Sequence, residues 1–120
     1  MLASRGDDRI LCADSSGERL GELTRRLRSE GFHVVCTRSA AECLAITAEF
    51  RPNIIVLDTE FLEVDLENIP EYISRIHAAT SVFLTVEDPS VWRNKPPQYV
   101  DAVVKRGDLD SLVSLARRIR

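Results

Sequence analysis

Five short apolar runs, at residues 10–13, 33–36, 54–57, 82–86 and 100–104, alternate along the chain with longer amphipathic stretches. Most of the runs are continuous rather than alternating in polarity, the pattern of strands covered on both faces. Between the first two runs, Ser15 and Glu18 form a capping box that opens a helix. Leu20, Leu23 and Leu27 then recur at helical spacing, and Gly31 supplies the stop. The next interval repeats the grammar with Ser39 and Glu42; Cys43, Leu44, Ile46 and Phe50 are its apolar residues, and Pro52 ends it. A third helix is predicted from near Asn68, with Pro70 in its first turn and Tyr72, Ile73 and Ile76 facing inward. The last begins at Asp108, an N-cap residue, and buries Leu109, Leu112, Val113, Ala116 and Ile119. Between Glu87 and Tyr99, three prolines (Pro89, Pro96 and Pro97) leave room only for a turn or two around residues 90–94. The fourth helix is therefore expected to be short or irregular.

This alternation predicts an α/β fold: a doubly wound, five-stranded parallel sheet with helices on both faces and right-handed crossovers. The flavodoxin-like strand order 2-1-3-4-5 follows, with its switch point between the first and third strands. No repeat, low-complexity tract or linker interrupts the pattern, so residues 1–120 read as a single domain.

Composition changes this picture little. Hydrophobic residues at 44% and charged residues at 29% are ordinary for a globular chain, and a formal net charge of −3 argues against nucleic acid as a partner. The basic residues are scattered except for Arg117-Arg118-Ile119-Arg120, which suits a helix C-terminus. No apolar stretch approaches the ~20 residues that span a bilayer, and no export signal is present, so no membrane association and a cytoplasmic location are expected. Cys12, Cys36 and Cys43 lie in apolar segments and read as reduced and buried. Neither they nor His33 and His77 follow a zinc-ligand spacing.

The candidate chemistry lies where the runs end. Asp14 follows the first, Asp58 the third, Thr85 lies at the exit of the fourth, and Lys105 follows the fifth. In a parallel sheet all four gather at the carboxyl edge, where such sheets bind ligands. Two carboxylates there suit a hard cation such as Mg²⁺, which takes one or two carboxylates together with waters and phosphate oxygens. A lysine serves as a point charge for phosphoryl oxygens, and an aspartate in that field can form an acyl phosphate.

In the order and spacing of Ile10-Leu11-Cys12-Ala13-Asp14, Ile54-Ile55-Val56-Leu57-Asp58, Phe83-Leu84-Thr85 and Val103-Val104-Lys105, the chain resembles the receiver domain of two-component response regulators. The resemblance covers nearly the whole chain. It implies that Asp58 is the phosphoacceptor, Asp14 an acid of a Mg²⁺ site, Thr85 the switch hydroxyl and Lys105 the phosphoryl-contacting lysine. Departures from the family pattern accompany it. Ser15 stands where a second acid is usual, and the residue after the switch hydroxyl is Val86 rather than a small one. Arg106 replaces a proline after the lysine, and Ala102 replaces an aromatic switch residue. No Met-Pro pair follows Asp58. Weak Mg²⁺ binding is therefore expected, with Glu60 or Glu87 supplying the missing carboxylate; Glu60 is assigned to the metal set beside Asp14 and Asp58.

The function implied is that of a cytoplasmic phosphoprotein in signal transduction. A histidine kinase or phosphotransfer protein donates to Asp58, and the response regulator switches its affinity for a downstream protein partner. It is not an enzyme beyond its own Mg²⁺-dependent phosphotransfer and dephosphorylation. A homodimer through the face of the fourth helix, fifth strand and last helix is a further expectation of the resemblance. The alternative is a degenerate pseudo-receiver that binds partners without phosphorylation, with Asp58 and Lys105 remaining as a structural pair, favoured by Ser15, Val86 and Ala102. Small-molecule enzymes fit less well. A haloacid dehalogenase-type phosphatase needs an aspartate where Glu60 stands, and Asp14 would repel the phosphate of a flavin. Trp92, with Pro96 and Pro97, reads equally as a partner-docking patch or as a loop packed on its own aromatic.

Overall fold

The computed structural model describes residues 8–61, 68–92 and 97–119. Five parallel strands run in the order β2-β1-β3-β4-β5: β1 (Arg9–Ala13), β2 (His33–Thr37), β3 (Ile54–Asp58), β4 (Ser81–Val86) and β5 (Ala102–Lys105). The helices are α1 (Gly17–Ser29), α2 (Ala40–Phe50), α3 (Asn68–Ile76) and α4 (Leu109–Arg118). The irregular fourth crossover holds a single 3₁₀ turn, Pro89–Trp92, where proline spacing had limited any helix. Residues 93–96, including Asn94 and Pro96, lie outside the described residues, as does Arg120.

Strand alternation divides the core in two. Ile10, Cys12, Ile54, Val56, Phe83 and Val104 point to the side covered by α1 and α4, where they meet Leu20, Leu27, Leu112, Val113 and Ala116. Leu11, Ala13, Ile55, Leu57, Leu84 and Val86 point to the other side and meet Cys43 of α2 with Ile69 and Ile73 of α3. Continuous apolar runs are thus needed because both faces of the sheet are dry.

Several local expectations are corrected. The cap of α1 is Ser16, not Ser15: the Asp14 carboxylate accepts the Ser16 N–H at 2.9 Å, and the helix begins one residue later. That shift puts Arg19 in the first turn, its backbone N–H donating to Ser16 Oγ. At α2, Ser39 caps as expected, but Glu42 does not reach the cap N–H. Ser39 N donates to Thr37 Oγ1, which donates to Glu42 Oε1 at 2.6 Å. In α3 the buried side is Ile69, Pro70 and Ile73, while Tyr72 and Ile76 are exposed. Cys36 is also exposed, because β2 is an edge strand; Cys12 and Cys43 are buried. Trp92 is half-buried against the α2–α3 side of the core, and Pro96, read together with it, lies outside the described residues.

Candidate functional site

The site forms where β1, β3, β4 and β5 end. Register places Asp58 level with Thr85, and Thr85 level with Val104. Partners in a parallel ladder share a face, so Asp58, Thr85 and Val104 all point to the α1–α4 side. Asp14, two residues beyond Cys12, shares that face. Lys105, one residue beyond Val104, takes the opposite one, and Arg106 returns to the side of Asp58. A 2.7 Å bond from Arg106 N to Val86 O extends the β5 ladder by one step and holds Arg106 there.

The consequence is a correction to the expected cation. Lys105 lies at the lining of the same pocket as Asp14, Asp58 and Thr85, but it is exposed and no ion pair within 4 Å joins it to Asp58. Arg106 takes the place instead: its Nε donates to Asp58 Oδ2 at 2.7 Å and its Nη2 to Asp58 Oδ1 at 3.0 Å. The Arg106 Nη2 also donates to Thr59 Oγ1 at 2.9 Å. Asp58 accepts two further bonds, from Thr85 Oγ1 to Oδ2 and from Glu60 N to Oδ1, both at 2.8 Å. The second of these, with Phe61 N donating to Asp58 O, folds residues 58–61 into a tight turn. Asp58 is thus fully engaged while only 1% exposed.

Electrostatics follow from this geometry. Burial by itself would push the Asp58 carboxyl up. The hydrogen bonds from Arg106, the Glu60 N–H and Thr85, with the charge of Arg106, outweigh it and hold Asp58 below the usual carboxylate range. The bond to Asp58 raises Arg106 in turn.

A second arginine fills the other half of the pocket. Arg19 Nε donates to Asp14 Oδ2 at 2.9 Å and its Nη2 to Asp14 Oδ1 at 2.7 Å. The same Nη2 donates to Glu60 Oε1 at 2.7 Å and stands 3.6 Å from Asp58 Oδ1. Arg19 therefore bridges all three acids assigned to the metal set, and its own pKa is raised chiefly by the bond to Asp14. Glu87 and Ser15 lie on the rim of a shallow groove with Thr59, Glu60 and Arg106. Val86 packs in the core of the opposite face and does not line the pocket. Ala102 pairs with Phe83 and packs on the α1–α4 core, one step behind Thr85.

Arg19 and Arg106 were not among the sequence candidates. In the sequence, Arg106 stands out only as the residue in place of the family's proline. The available signal for Arg19 was its position five residues after Asp14, in the first turn of a helix that starts at the same sheet edge.

This donor set does not fit Mg²⁺. A hard octahedral cation needs carboxylate oxygens that can face it. Both oxygens of Asp14 face one guanidinium, and both oxygens of Asp58 face another. Among the described residues, no group of three or more acidic, histidine or cysteine side chains is arranged to hold a metal ion.

No protein-family model matches the chain, and neither does any curated protein. Solved structures do resemble it. The response regulator TrrA from Thermotoga maritima, in complex with Mg²⁺ and BeF, superposes with a TM-score of 0.78 at 19% identity, covering 94% of this chain and 99% of that one. A CheY-like response regulator receiver domain protein from Methanospirillum hungatei gives 0.79 at 18% identity, covering 92% and 91%. A response regulator receiver domain protein from Clostridium thermocellum gives 0.80 at 16%, covering 92% of each. The chain therefore has the receiver-domain fold, in a sequence well diverged from those neighbours. Among the described residues no helix is long and apolar enough to cross a membrane.

Proposed function

We propose that this chain is a receiver-fold protein-interaction module whose partner binding is independent of phosphorylation. The reading rests on one observation, the two-pronged grip of Arg106 on both oxygens of Asp58. In-line phosphoryl transfer needs a carboxylate oxygen with a free lone pair and an open approach. Each oxygen of Asp58 already accepts two hydrogen bonds, and the side chain is buried. Asp58 then acts as a structural anion that ties the end of β3 to the segment leading into α4. Exposed Val91 and Tyr99, on the crossover between β4 and β5, supply apolar surface for a protein partner. The module has no turnover of its own in this reading.

A second reading keeps Asp58 as phosphoacceptor for a histidine kinase or phosphotransfer protein. It is favoured by the 2.8 Å contact of Thr85 with Asp58 at the strand ends and by the fold shared with TrrA. It requires Arg106 to release Asp58. Incubation with acetyl phosphate or phosphoramidate in Mg²⁺, followed by intact mass spectrometry, separates the two. No mass increase is expected; one phosphoryl group on Asp58, lost in Asp58→Asn, would overturn the proposal in favour of the second reading.

A further inference from the structure

Three carboxylates and two guanidiniums share this pocket: Asp14, Asp58 and Glu60 with Arg19 and Arg106. The two arginines do not play the same part. Arg106 addresses Asp58 and comes from the β5–α4 connection. Arg19 comes from α1 and addresses the acids as a group, with Nη2 at 2.7 Å from Asp14 Oδ1, 2.7 Å from Glu60 Oε1 and 3.6 Å from Asp58 Oδ1. One nitrogen standing among three carboxylates in this way occupies the position of a shared cation.

We infer that the Arg19 guanidinium is the resident cation of this pocket, and that a divalent-cation site lies latent beneath it. The inference rests on the proposed phosphorylation-independent reading and deepens it, since it names what makes the pocket independent of metal. Its local origin is visible. The turn made by Asp14 and Ser16 starts α1 one residue late, and the first helical turn then carries Arg19 directly over the strand ends. Asp14 is buried against the sheet edge, and Glu60 stands half-exposed on the opposite rim of the pocket.

The charge balance supports a latent site. With both arginines the five groups carry −1, which offers a dication little. Removing the Arg19 charge leaves −2 and frees Asp14 Oδ2 and Glu60 Oε1, while Asp58 stays held by Arg106; a hard dication takes one or two carboxylates with several retained waters. Asp14 also stays fixed without Arg19, because its Oδ1 still accepts the Ser16 N–H. Arg106 would still hold Asp58, so regained metal binding would not by itself restore phosphoryl acceptance.

The test is titration of Mg²⁺ and Mn²⁺ into the full chain by isothermal calorimetry, comparing wild type with Arg19→Gln, Arg19→Lys and Arg19→Gln/Asp14→Asn. Thermal melts of each variant establish that it is folded. Arg19→Gln should bind Mn²⁺ roughly a hundredfold or more tightly than wild type, since a unit charge about 4 Å away no longer opposes the ion. Arg19→Lys should stay near wild type because the charge is kept, and the double variant should lose the gained affinity. Equal binding by wild type and Arg19→Gln, or no gain in a folded Arg19→Gln, overturns the inference. Metal binding by wild type as tight as that of Arg19→Gln, without phosphorylation, would sink this inference alone. Phosphorylation of Asp58 would sink the functional reading on which it rests.

Discussion

Arg106 holds both carboxylate oxygens of Asp58, at 2.7 and 3.0 Å, while its neighbour Lys105 is exposed and forms no ion pair with Asp58. Two consecutive cations at the end of one strand thus have opposite fates. The difference should be measurable as stability. Arg106→Ala leaves a buried carboxylate with its main partner gone and should cost about 3 kcal/mol in chemical denaturation, reduced somewhat by the partial exposure of Arg106. Arg106→Lys should recover only part of this, because an ammonium cannot reproduce the fork. Lys105→Ala should fall within about 0.5 kcal/mol of wild type. A larger loss from Lys105→Ala than from Arg106→Ala would mean that the wrong cation has been assigned.

The same pair sets an acid limit. Asp58 titrates below its ordinary range in the folded state and near 3.8 when unfolded. A carboxyl depressed by folding contributes stability that is fully present above the unfolded value and lost as pH falls through the folded one. Denaturation midpoints should therefore be insensitive to this group near neutrality and fall below about pH 4. In Asp58→Asn that acid-dependent component should be missing, although the variant is weaker throughout. Parallel pH profiles for the two proteins would show that Asp58 does not carry it.

Cysteine reactivity separates the edge of the sheet from its centre. Burial pushes the Cys43 thiol up to about 12 and the Cys12 thiol higher still, whereas Cys36 is exposed on β2. Thiol alkylation of the native protein near neutral pH should modify Cys36 quickly and the other two only after unfolding. Peptide mapping by mass spectrometry reads this directly. Rapid native labelling of Cys12 would contradict the packing of β1.

Thr24 faces the core side of α1, and its hydroxyl is the one buried side-chain polar atom without a partner among the described residues. Val has the same branched shape and removes the unpartnered oxygen. Thr24→Val should be neutral or stabilise by up to about 1 kcal/mol, unlike most core substitutions. A loss of more than that in urea denaturation would show that the hydroxyl has a partner in solution.

The order of elements was legible because it depends on local chemistry: apolar runs of strand length, helical spacing between them, Ser39 and Asp108 as caps, and prolines that cut the fourth crossover short. The convergence of Asp14, Asp58 and Thr85 was legible for the same reason, since parallel strands of similar length end together. Tyr72 and Ile76 were misplaced because the short α3 buries the face defined by Ile69 and Ile73, and either stripe satisfies helical periodicity.

Which cation meets Asp58 was beyond reach of the chain alone. Side chains alternate across a strand, so a shift of one residue in register exchanges Lys105 for Arg106. Only the pairing of β5 with β4 decides it. The closure of the pocket by Arg19 was likewise decided in three dimensions, because it depends on α1 starting at Gly17 and folding its first turn back over the sheet edge. By itself the sequence determined the αβ alternation and which acids meet at the strand ends. Register and helix placement, which arise from packing between distant segments, decided that those acids are paired with arginines of the chain itself.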